Sequence, residues 1–225
     1  MTLSLDGPRI EPRSGKARQL VVFLHGYGAD GNDLIAIGKE WQALLPDAAF
    51  VSPHAPEPCG GAPVGRQWFE LTFREPEERW RGVNKAVPVL EAFLDGELNR
   101  RGLPAGSLAL VGFSQGTMMA LHVGLRRAKA PAAIVGYSGM FVMPPGADAQ
   151  ERAIAEIRAR PPVLLVHGER DELIPAQALL ISAQALSAAG VPVEWHLSPG
   201  IGHGIDGEGL RHGGMFLARA FTGSR

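Results

Sequence analysis

Residues 109–125, "ALVGFSQGTMMALHVGL", pass from an apolar run into a helical one through Gly112-Phe113-Ser114-Gln115-Gly116. A G-x-S-x-G between a strand and a helix is the sequence of a nucleophile elbow, a turn tight enough to hold its serine in a strained backbone conformation. Glycines at Gly112 and Gly116 remove side chains that would collide with the adjoining strand and helix. The turn lifts the Ser114 hydroxyl clear of the sheet. It also leaves the Gln115 N–H at a helix N-terminus, where partial positive charge favours an anion. Read structurally, the same five residues are only a Gly-rich strand-to-helix turn with a buried serine; the flanking strand and helix favour the nucleophile.

Similar apolar runs recur along the chain: "LVVFLHG", "AAFVSP", "AAIVGYSG", "PVLLVHG" and "VEWHLSPG" read as buried strands. Helical spacing occupies Asp33 to Leu45, Glu77 to Arg101, Gln115 to Arg127, Ala149 to Arg160, Ala176 to Ala189 and Asp206 to Phe221. Alternation of strand and helix predicts an α/β fold, with a mostly parallel central sheet and helices on both faces. With no repeat, low-complexity tract or linker, residues 1–225 are expected to form one domain. One connection, Pro53 to Gly82, is rich in Pro and Gly yet carries Trp68, Phe69, Phe73 and Trp80. It reads equally as a lid or pocket wall and as a loop whose aromatics anchor it to the core.

Composition narrows the partners. The 22 Lys and Arg balance 23 Asp and Glu to a net charge of −1, without long runs of either sign. No footprint for nucleic acid or an anionic membrane is present, and a small-molecule partner is expected. No stretch reaches membrane-spanning length and the first residues lack a signal-peptide pattern, so a cytoplasmic protein without stable membrane insertion is expected. The single cysteine, Cys59, cannot form an internal disulfide.

"HGYGADG", residues 25–31, follows the first strand and matches G-x-G-x-x-G through Gly26, Gly28 and Gly31. A dinucleotide site would place an acid about 20 residues further on, at the tip of the next strand, to hold the ribose. That tip reads "FVSPHAP" and carries none. A Gly-rich turn here has a second use, which is to present backbone N–H groups to an oxyanion.

A serine needs a base, and the base an orienting carboxylate. After an elbow serine, the acid and then the histidine follow in chain order. The loop "ERDELIP" after "PVLLVHG" supplies Asp171, with Glu169 and Glu172 as alternatives in the same loop. Three later histidines compete. His196 alternates within a strand and His212 lies inside the last helix, whereas His203 sits between Gly202 and Gly204 in a loop beyond a strand and is the best base. His25 and His167 are expected to bond backbone at strand ends. No H-E-x-x-H or Cys/His cluster suggests a metal, and no cofactor is called for. Tyr27 and Gln115 N–H are the candidate oxyanion donors, and Trp68, Phe69, Met118 and Ile174 the candidates to line an apolar groove.

These residues resemble the phospholipase/carboxylesterase family of α/β-hydrolases, which includes the acyl-protein thioesterases. The resemblance rests on "LHGYGADGND", "PHAP", "WFE", "LVGFSQGTMMAL", "YSGMF", "LLVHGERDELIP" and "GIGHGID", in the family's order over nearly the whole chain. It implies an α/β-hydrolase fold and a cofactor-free serine hydrolase of carboxylic esters, with thioesters or lysophospholipids as alternative substrates. It also implies Ser114, Asp171 and His203 as triad, with the backbone at Tyr27 and Gln115 as oxyanion hole. Tyr27 stands where members commonly have Leu, Glu70 where they have Asp, and "CGGAPVGRQ" departs from the usual loop. All three lie near the expected substrate entrance, so the resemblance speaks to the reaction class more than to the substrate. A non-catalytic binding protein on this scaffold would lack a triad member, and none is missing here. Exposed apolar residues around the groove are compatible with a homodimer.

Overall fold

In the computed structural model, which describes residues 4–60, 64–72, 75 and 77–223, the apolar runs become the inner strands of one seven-stranded sheet. In chain order the elements are β1 (Arg9–Ile10), β2 (Gln19–Leu24), α1 (Asn32–Trp41), β3 (Ala48–Val51), β4 (Glu57–Pro58), β5 (Arg66–Gln67), α2 (Glu78–Arg101) and β6 (Leu108–Phe113). They continue as α3 (Gln115–Gly124), β7 (Ala133–Tyr137), α4 (Ala149–Ala155), β8 (Val163–Gly168), α5 (Gln177–Ala188), β9 (Val193–Ser198) and α6 (Gly207–Gly223). The large sheet runs β1-β3-β2-β6-β7-β8-β9, parallel throughout except for antiparallel β1.

Period-two side-chain alternation gives the sheet two cores. Leu20, Val22 and Leu24 of β2 join the core beneath α2, α3 and α5, while Val21 and Phe23 join the one beneath α1 and α6. Both faces are apolar because both are covered. The six parallel strands occur where the apolar runs lie; β1, two residues long, has too little pattern to be legible in sequence. Helix α4 stops at Ala155, well before Arg160, because the Arg158 and Ala159 N–H groups both bond the Leu125 carbonyl.

Parallel strands bring their carboxyl ends to one edge. From β2 the chain steps outward to β3, then crosses back through α2 to β6 on the other side of β2. The loops leaving β2 and β6 therefore diverge, opening a crevice at the switch point between adjacent strands.

The described part of the Pro53–Gly82 connection is fastened down. Its short strands β4 and β5 pair with each other, Arg66 donates to the Ala55 and Pro56 carbonyls at 2.7 Å each, and Arg66 N–H bonds Ala29 O at 2.8 Å. Trp68 and Phe69 are almost fully buried; Phe73 lies outside the described residues. The anchoring reading holds for both aromatics.

Candidate active site

Ser114 occupies the sharp turn between β6 and α3, with φ 53° and ψ −115°. Such a conformation is costly for a residue with a side chain, and persists only where the surroundings over-determine it. Here they do. A Cβ at Gly116 would stand 1.8 Å from the Leu24 carbonyl oxygen, and one at Gly112 would stand 2.4 Å from the Gly116 backbone. The Ser114 N–H is held by Tyr137 O at 2.9 Å.

Beside the turn, His203 Nε2 is 2.9 Å from Ser114 Oγ and His203 Nδ1 is 2.7 Å from Asp171 Oδ2. The Asp171 carboxylate is fully buried, and its Oδ1 accepts the Leu173 and Ile174 N–H groups at 2.9 and 2.8 Å. That leaves Oδ2 aimed at the imidazole, with the proton on Nδ1 and Nε2 free to accept from the serine. Glu169 instead caps the Gly200 N–H at 2.8 Å, and Glu172 is exposed. Of the three acids in the loop, only Asp171 meets His203.

His203 owes its place to three contacts. The Ser138 hydroxyl donates to Gly204 O at 3.0 Å, Arg170 N–H bonds Ile201 O at 2.8 Å, and Gly168 lies so close that an added Cβ would be 2.1 Å from Gly202 O. His167, the other strand-end histidine, puts Nε2 2.8 Å from Ile174 O and 3.3 Å from Asp171 Oδ2. It was not singled out as a partner of the acid, because only the fold turns its ring toward that loop.

The loop after β2 is organised by His25, buried between strand and loop. Its Nε2 accepts the Ala55 N–H at 3.0 Å, which puts the proton on Nδ1, 2.8 Å from Gly26 O. Burial lowers its pKa to about 4, so the ring is neutral. Trp68 Nε1 donates to His25 O at 3.0 Å. Gln115 spans the gap: its side-chain Oε1 accepts the Trp68 N–H at 2.9 Å and its Nε2 donates to Phe69 O at 2.8 Å. The backbone N–H groups of Tyr27 and Gln115 make no hydrogen bond among the described residues.

An apolar pocket of about 170 Å³ opens beside Ser114 and His203, walled by Leu71, Phe113, Met118, Leu173 and Ile174, with Tyr27, Gln115 and Arg79 also lining it. Met118 and Ile174 are among its walls. Trp68 and Phe69 do not line this pocket: Trp68 is spent on the His25 loop, and Phe69 packs on Gly82 of α2, where a Cβ would come within 2.2 Å of its ring. Sequence does not say which side of the loop such an aromatic faces. Phe113 had a signal, being the residue next to the serine; Leu71, Arg79 and Leu173 had none.

A sheet of this order carries these three side chains at its carboxyl edge, and the model of the phospholipase/carboxylesterase family matches residues 5–220: the chain belongs to that family of α/β-hydrolases and is a carboxylic ester hydrolase. The solved structure of esterase PE8 is similar at 42% identity and a TM-score of 0.91, over 96% of this chain and 99% of that one. Esterase YpfH of Escherichia coli is 28% identical over 87% of this chain and 80% of its own. Acyl-protein thioesterase 1 of Gibberella zeae is 25% identical over 94% of each chain. Among the described residues no helix is long and apolar enough to cross a membrane.

Proposed function

We propose that the protein hydrolyses carboxylic esters through an acyl-enzyme on Ser114. The observation that carries this reading is the continuous hydrogen-bonded chain from Ser114 Oγ through His203 to buried Asp171, at 2.9 and 2.7 Å, beside an apolar pocket. His203 takes the serine proton as the alkoxide attacks the ester carbonyl, and Asp171 holds the ring and the charge that forms on it. The oxyanion is met by the Tyr27 and Gln115 N–H groups; losing one such donor typically costs about 3 kcal/mol of transition-state stabilisation. His203 then hands its proton to the leaving alkoxide, water attacks the acyl-enzyme with His203 again as base, and Ser114 is regenerated.

The acyl chain is received by the apolar pocket between Leu71, Phe113, Met118, Leu173 and Ile174. Thioesters are the second reading, favoured by the thioesterase similarity; their acyl half would enter the same pocket.

The test is a nitrophenyl ester series from acetate to palmitate, with the wild type and Ser114→Ala. Turnover in the wild type and none in the variant is expected, and the chain-length optimum separates a short-ester carboxylesterase from a long-acyl thioesterase. Equal turnover in Ser114→Ala would overturn the serine mechanism.

A further inference from the structure

Outside the catalytic edge, one cluster of metal-ligating side chains joins the outermost strand β9 to α6. We propose that His196, Glu208 and His212 bind a single divalent transition-metal ion of the zinc type, which staples the two ends of the loop carrying His203. Glu208 and His212, four apart on α6, share a helix face, with His212 Nε2 3.6 Å from Glu208 Oε1. The His196 ring, from β9, lies against the His212 ring at a centroid distance of 4.5 Å. One donor atom from each of the three is within 4.8 Å of the other two.

A second observation points to a ligand. His196 Nε2 is buried and has no hydrogen-bond partner among the described residues. Buried polar atoms are rarely left so, and an unpaired one signals a missing partner. Donors bound to a tetrahedral zinc at about 2.0–2.1 Å stand roughly 3.4 Å apart, so the widest gap must close by up to about 1.4 Å. Glu208, about half exposed, can swing to close it, against a weak pairing with Arg211 at 3.9 Å. Two imidazoles and one carboxylate suit zinc, cobalt or nickel; calcium and magnesium prefer all-oxygen sets. A fourth position facing solvent takes water.

The ion would act on shape, not on the reaction. None of the three ligands lines the pocket at Ser114. They flank residues 199–206, which include His203, so coordination ties both ends of that loop to each other. Sequence gave no hint because the ligands come from two elements, 12 and 4 residues apart, in no contiguous zinc signature.

Tag-free, chelator-treated protein titrated with cobalt should show a saturating visible d–d band at one equivalent. Zinc at about a hundred times its Kd should raise the Tm by about 5 °C or more. Glu208→Gln and His212→Gln, both changes at partly exposed positions, should weaken binding at least tenfold while keeping the metal-free Tm of wild type. Ser114→Ala should bind as wild type, which separates this site from the catalytic reading. Absence of one-to-one binding, or undiminished binding in both ligand variants, would overturn the proposal. Should one variant fail to fold, the other carries the test.

Discussion

At the scale of single residues, the site is held by atoms that have one permitted arrangement each. Asp171 illustrates it: Oδ1 is committed to two backbone N–H groups and Oδ2 to His203. In Asp171→Asn the carbonyl oxygen can keep both backbone bonds, which turns the amide NH₂ toward His203 Nδ1. Two donors then face each other, so the ring must take the other tautomer and lose its capacity to accept from Ser114. We expect kcat to fall about 10,000-fold with the Tm nearly unchanged; a loss of less than tenfold would mean that another carboxylate supports the base. The sequence leaves Glu169 and Glu172 open beside Asp171 in the same loop. What separates them is the direction of each side chain from the loop, which depends on the turn after β8.

Between elements, close backbone approach positions His203, the proposed base. Gly168 ends β8 where the loop bearing His203 passes, and a Cβ there would meet two backbone oxygens, Gly202 O at 2.1 Å and Ile201 O at 2.5 Å. Neither is a flexible side chain, so Gly168→Ala must displace the loop by about 1 Å. A displacement of that size from the reacting atoms costs about 100-fold in rate. The expected readout is a kcat reduced on that scale with KM within twofold of wild type, because the pocket walls come mostly from other segments; wild-type kcat would show that the loop adapts freely. The Gly in "VHG" was visible in sequence as a strand end. Its neighbour across the loop was not, since residues 168 and 202 meet only when β8 and β9 pair.

Over the whole molecule, buried neutral histidines make the fold sensitive to acid. Burial lowers the pKa of His25 to about 4, and burial with nearby Arg126 lowers that of His122 to about 3. Both lie below the unfolded value, so between the folded and unfolded pKa values the unfolded chain binds more protons. Stability from each is therefore complete above pH 6.5 and is lost as pH falls toward the folded pKa. By pH 5 the loss is about 2 kcal/mol for each histidine. In His25→Gln, which cannot protonate, the fall in Tm between pH 7.5 and pH 5 should be shallower than in wild type; equal slopes would mean that His25 is not the acid-sensitive group.

The sequence by itself determined the layered α/β architecture, the serine on its elbow, and the loops that supply an acid and a histidine. These are properties of short stretches: apolar runs that must be buried, a turn too tight for side chains at Gly112 and Gly116, and strand ends marked by glycine. Only the tertiary structure decided what those stretches meet. It turned Trp68 and Phe69 away from the pocket, Trp68 onto the loop after β2 and Phe69 onto α2, while the Gln115 side chain bonds the backbone of both. It set His167 beside Asp171 and brought His196 onto His212. It also fixed the pocket's volume, since that depends on how Leu71, Phe113 and Leu173, from three separate elements and loops, converge on one point. Burial pattern is written in local periodicity; contact between distant segments is settled by register and packing, which no single stretch contains.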